Sequence, residues 1–128
     1  MWKRNEAHFA GDYFFENQAL ATGTDAQVSE AFELGCTEGG IRVRGWLDGS
    51  AVCASGNTVT TELEVADTPD STAWRKIAEN TVTATATALA AGDIFSFIPD
   101  VDEHYMRVKV ANSAGMTGNF TVAVELVP

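Results

Sequence analysis

The sequence predicts an all-β domain: an antiparallel β-sandwich or jelly roll of seven or eight strands behind an extended amino-terminal arm. Apolar and polar residues alternate with the period of a strand rather than that of a helix. The alternating runs are short and closely punctuated by turn residues, the spacing that two sheets burying one face each require. At 128 residues the chain is long enough for one domain to bury about two-thirds of its unfolded surface without disulfide or metal staples.

Residues 1–13 stand apart as the arm. Trp2, Phe9 and Tyr13 lie among polar residues with no clean period. Such a segment frays unless its aromatics find a surface, either on a neighbouring subunit or on the chain's own sandwich. The domain is expected to occupy residues 14–128.

Within it, Val28, Phe32 and Leu34 share one parity. Ile41, Val43 and Leu47 alternate with Arg42, Arg44 and Trp46, and Val59, Thr61, Leu63 and Val65 alternate with threonines and glutamates. The run Thr81-Val82-Thr83-Ala84-Thr85-Ala86-Thr87-Ala88 reads as one strand with all its threonines on one side, because they are β-branched and spaced strictly by two. Residues 94–98 are apolar on both parities, the pattern of a strand buried on both faces. Met106, Val108 and Val110 alternate with Arg107 and Lys109, and Phe120, Val122, Val124 and Leu126 form the last strand. Turn signals separate these runs, among them Asp48-Gly49-Ser50, Ser55-Gly56-Asn57 and Ala91-Gly92-Asp93. Trp74-Arg75-Lys76-Ile77-Ala78 fits a helical turn or a short strand equally.

Composition excludes several classes of function. Eight basic residues against 18 acidic ones give a formal charge of −10, and like-sign repulsion opposes binding to nucleic acid phosphates. No run of about 18 apolar residues exists to span a membrane, so neither nucleic acid nor membrane is expected as a partner. The start Met1-Trp2-Lys3-Arg4 has no apolar stretch behind it and predicts a protein made in the cytoplasm without a secretory signal. Cys36 and Cys53 make no metal pattern; free thiols are expected, a Cys36–Cys53 bridge being the alternative.

No phosphate loop, nucleophile elbow or paired-histidine motif is present. His8 and His104 lie in unrelated places. Asp100, Asp102 and Glu103 are hard oxygen ligands near one another, but without the regular spacing of a calcium loop they read as a solvated turn. Neither catalytic, cofactor nor metal residues are predicted, and the protein is not expected to be an enzyme. Trp46 shares its parity with Arg42 and Arg44, away from Ile41 and Val43. A Trp among guanidiniums on the wetter face has the composition of an interface hot spot; the plainer account is a ring covering a sheet edge within one subunit. The candidate interface is therefore Trp2, Phe9, Tyr13, Arg42, Arg44 and Trp46.

From Phe14 onward the order of features is similar to a known group. Phe14-Phe15-Glu16-Asn17-Gln18-Ala19-Leu20 is followed by a polar stretch, then the segment 28–35. A Thr-rich strand leads into the Asp-rich loop 67–72, then Trp74 and Ile77. Leu89-Ala90-Ala91-Gly92-Asp93 precedes 94–99, Tyr105-Met106-Arg107-Val108-Lys109-Val110 follows, and a Gly-containing turn precedes 120–126. In this the chain resembles the small jelly-roll cement, or head decoration, proteins of tailed bacteriophages. The resemblance implies a jelly-roll fold and a non-enzymatic structural protein of the virion. Its partners would be the major capsid protein, on the outer surface of the head, and itself as a homodimer or homotrimer. It would be made in the host bacterial cytoplasm. It supplies no ligand residues. The alternative is a carbohydrate- or receptor-binding β-sandwich module of a phage tail or cell-surface protein, in which Trp46 or Trp74 would stack on sugar rings.

Overall fold

The computed structural model describes residues 12–33, 40–99 and 104–126, and every regular element among them is a strand. Seven are long: β1 (Asp12–Ala19), β4 (Ile41–Leu47), β6 (Thr58–Ala66), β7 (Arg75–Thr83), β9 (Gly92–Phe97), β10 (Tyr105–Asn112) and β11 (Asn119–Leu126). Four are two-residue pieces: β2 (Gln27–Val28), β3 (Phe32–Glu33), β5 (Ala51–Val52) and β8 (Ala88–Leu89). They build an antiparallel β-sandwich. One sheet has the order β1-β11-β4-β9, and the other the order β2-β10-β6-β7 with β3 also on β10. β5 and β8 form a small third sheet.

The period-two pattern becomes the core directly. On β4, Ile41, Val43 and Leu47 are buried while Arg42, Arg44 and Trp46 are half-buried on the other side; β10 alternates in the same way. Val43, Leu63, Val108, Phe120 and Val122 are fully enclosed between the sheets. Each such side chain contributes roughly 1.5–3 kcal/mol by leaving water. Gly45 belongs to the inner face, where a Cβ would meet Val122 Cγ2 at 3.2 Å and Ile94 Cγ1 at 3.4 Å, so only a small residue leaves the sheets at this spacing.

Three expectations need correction, and one open reading is resolved. The Thr/Ala run is not one strand: β7 ends at Thr83. The chain then turns through Ala86 at φ 54°, with Ala84 buried and its amide bonded to the Asn57 carbonyl. Residues 75–78, left open between helix and strand, are the first half of β7. The segment begun by Val28 breaks into β2 and β3, because the Ser29 hydroxyl accepts the Val108 amide at 2.9 Å where a strand carbonyl would serve; Val28 is left 47% exposed. β9 is an edge strand, not one buried on both faces. Ile94 and Phe95 are both buried because the register shifts opposite Gly45 and Trp46, a bulge that turns consecutive residues inward. Ile98 just beyond is 48% exposed.

Candidate functional site

Antiparallel pairing assembles the outward face of the β1-β11-β4-β9 sheet. Tyr13 lies opposite Ala123, Ala123 opposite Arg44 and Arg44 opposite Ser96, so these four share one transverse row. The adjoining rows set Thr121 and Asp93 beside Trp46, and Glu125 beside Arg42. Residues far apart in sequence thus reach one surface. Tyr13 and Asp12, counted above with the arm, are residues of β1. Trp2 and Phe9 lie outside the described residues, as do Cys36 and the Asp100, Asp102, Glu103 cluster; Cys53 is a free thiol.

The face is held by mutual satisfaction of its polar groups. Arg44 Nη2 donates to Asp93 Oδ1 at 2.8 Å, and Nη1 donates to Glu125 Oε2 at 3.4 Å. The Asp93 hydrogen bond, aided by the charges of Asp93 and Glu125, raises the pKa of the guanidinium above its ordinary value. Arg44 also lies over the Trp46 ring, 4.8 Å from its centroid, within the range of a cation–π contact. Trp46 Nε1 donates to Asp48 Oδ1 at 3.1 Å. Asp48 in turn accepts from the Thr121 hydroxyl at 2.9 Å, whose oxygen receives the Asn17 amide at 3.0 Å. Asn17 is in the left-handed region, φ 48°, and its side-chain Oδ1 accepts from Asn119 Nδ2. Trp46 therefore sits in a fixed orientation, with Tyr13 37% exposed on the same face.

Arg42, Arg44, Trp46 and Tyr13 were legible as candidates; their partners Asp48, Asp93, Thr121 and Glu125 were not. The available signal was the turn Asp48-Gly49-Ser50, two residues past Trp46. The opposite sheet carries a second Trp beneath an arginine, with Arg107 4.4 Å from the centroid of Trp74. That arginine donates to Glu64 at 2.7 Å, and Lys109 approaches the same carboxylate. Across β6 and β7, Glu62 faces Glu79, whose charge is offset by a salt bridge to Lys76. That face is a charge ladder, exposed at Lys76 and Glu79 and buried at Glu64.

A groove of ≈340 Å³ runs between the edge strands β7 and β9. The carboxylates at its rim, Glu79 and Asp93, are engaged by Lys76 and Arg44. Among the described residues no three His, Cys, Asp or Glu side chains are grouped to hold a metal ion. Among the same residues, no helix is long and apolar enough to cross a membrane.

No family model matches the sequence, and no curated protein does. Solved structures do match by shape. A chain in the structure of infectious bursal disease virus, Gx strain, aligns over 90% of this chain with a TM-score of 0.50 at 9% identity. The present chain spans only 31% of that viral chain. A crystal structure of PirA aligns over 84% of this chain and 89% of its own, with a TM-score of 0.49 at 12% identity. A CBM4 structure covers 90% of this chain and 75% of its own, with a TM-score of 0.43 at 16% identity. The likeness is one of fold alone. The β-sandwich is shared with a viral protein, and a shared fold carries no site with it.

Proposed function

We propose that this chain is a structural virion protein: a cement, or decoration, protein bound to the outside of a tailed-phage head. It would span joints of the major capsid protein lattice and carry out no catalysis. The observation that carries the proposal is the outward face of the β1-β11-β4-β9 sheet, where Tyr13, Arg42, Arg44 and Trp46 stand in adjoining rows on a rigid support. Trp, Tyr and Arg are the residues that dominate protein interfaces, and Arg44 and Trp46, already fixed by hydrogen bonds, lose little entropy on docking. From β4 onward, consecutive long strands cross between the sheets except at the β6–β7 hairpin, and this winding suits the jelly roll that the resemblance implies. Each contact can be modest, because many copies on one shell act together.

The test is particle binding. Purified protein should co-sediment with phage heads stripped of their decoration, and Trp46→Ala should weaken that binding roughly tenfold or more. Retention on immobilised glycans with no head binding would instead establish the carbohydrate-binding alternative. Against that alternative, the Arg44 guanidinium already occupies one face of the Trp46 ring, where a sugar would stack.

A further inference from the structure

At one end of the sandwich, four loop segments are stitched together by backbone hydrogen bonds. The Met116 amide bonds the Ala21 carbonyl at 3.1 Å, Val52 and Thr117 exchange two bonds at 2.8 and 3.0 Å, and the Cys53 amide bonds the Thr87 carbonyl at 3.1 Å. β5 pairs with β8 beside them. The result is a small cap whose residues alternate like those of any sheet. Leu20, Ala51, Leu89 and Met116 point into the core, while Val52, Ala88 and Thr117 face out. Val52 is 64% exposed, yet its backbone is held on both sides, so its side chain is presented rather than merely left over.

Charge is distributed unevenly along the sandwich axis. The four cap segments, residues 20–26, 48–57, 84–91 and 113–118, contain only two charged residues, Asp25 and Asp48. Asp48 is turned to Trp46 and Thr121. The opposite end holds Glu33, Asp67 and Asp70 beside Tyr105 and Ala66, and all the described cations lie on β4, β7 and β10. In a chain of formal charge −10, two copies repel wherever charged surfaces approach. Meeting cap to cap puts the charged ends as far apart as the shape allows and joins the surface with the fewest charges, as interface cores require.

We infer that the sparsely charged cap centred on Val52 is the surface through which copies of this chain associate, packed face to face about a symmetry axis. Such an isologous contact places Val52 and Ala88 of one copy against the same patch of the next. It does not depend on shell binding, because the cap and the Trp46 face are different surfaces.

Sedimentation of the full-length protein over a wide concentration range tests the inference. The wild type should exceed its monomer mass of 13.7 kDa, and added salt should tighten the association by screening the charged remainder. Val52→Asp should weaken self-association about tenfold or more with an unchanged circular dichroism spectrum. Ala88→Glu should act likewise and serves in its place should Val52→Asp misfold. A wild type that stays monomeric at millimolar concentration overturns the inference. So does an oligomer that survives both folded variants, or one dispersed by Trp46→Ala but not by them. Head binding is measured separately, so failure of the cap leaves the proposed function standing, and the reverse holds too.

Discussion

Arg44 and Trp46, two residues apart on β4, form a stacked pair with the guanidinium carbon 4.8 Å from the ring centroid. The same guanidinium bridges β9 and β11 through Asp93 and Glu125. All three charged side chains are more than a third exposed, so water screens the ion pairs and each adds little. Arg44→Ala should therefore destabilise the fold by only about 1 kcal/mol. A double-mutant cycle with Trp46→Ala, read by urea unfolding, should return a coupling of about 0.5–1 kcal/mol. No coupling would mean that the stacking contributes nothing in solution.

Asp48 joins Trp46 to the hydroxyl of Thr121, a residue only 4% exposed. Asp48→Ala removes both acceptor contacts and leaves that hydroxyl without its acceptor, at a cost of about 1–3 kcal/mol. The Trp46 indole N–H resonance should shift in the proton–nitrogen spectrum while those of Trp2 and Trp74 stay put. A variant with wild-type stability and an unmoved Trp46 signal would count against the relay.

These partnerships mark where legibility in the sequence ended. Alternation along a strand is a local property, so the parity of Arg42, Arg44 and Trp46 could be read before any pairing was known. Asp93 and Glu125 reach Arg44 only through the registers of β9 and β11, and a register is a long-range fact. The bulge at Ile94 adds a residue that no period announces. The threonine run kept its alternation on paper through Ala86, where the backbone in fact turns left-handed. Two-residue strands such as β5 and β8 have no period at all, so the cap around Val52 was invisible although the scarcity of charge in its segments was in plain sight.

Thr61 is the one buried side chain among the described residues whose polar atom has no hydrogen-bond partner. It is fully enclosed on β6, opposite Val110 and Asn80. A buried hydroxyl left unpaired costs more than a methyl group in the same place. Thr61→Val should thus raise stability by about 1 kcal/mol, seen as a higher urea midpoint with an unchanged slope. A lower midpoint would show that the hydroxyl has a partner after all.

Gly115 and Gly49 give a matched pair of glycine replacements. A Cβ at Gly115 would lie 2.6 Å from the Thr22 carbonyl oxygen, whereas nothing lies within 4 Å of one at Gly49. The first forces two hydrogen-bonded backbone segments of the cap apart. Gly115→Ala should cost about 1–3 kcal/mol, and Gly49→Ala should stay within about 0.5 kcal/mol of wild type. Equal thermal shifts for the two would mean that the 115–22 contact yields easily.

Removing residues 1–11 should leave the sandwich folded and weaken attachment to the shell. β1 begins at Asp12 and pairs along β11 from Asp12 opposite Val124 to Ala19 opposite Asn119, so every paired residue of the strand survives the cut. Phe14, stacked on Phe32 at 4.6 Å, and Phe15, 5.0 Å from Phe120, also remain to anchor it. The cut takes away Trp2 and Phe9 and the basic residues Lys3 and Arg4. Burying one large aromatic against a partner is worth roughly 1.5–3 kcal/mol, enough for two of them to decide a weak contact. Circular dichroism and head co-sedimentation of the truncated protein separate the outcomes. Retained β signal with reduced binding is expected. Loss of the β signal would make the segment part of the fold, and full binding would remove it from the interface.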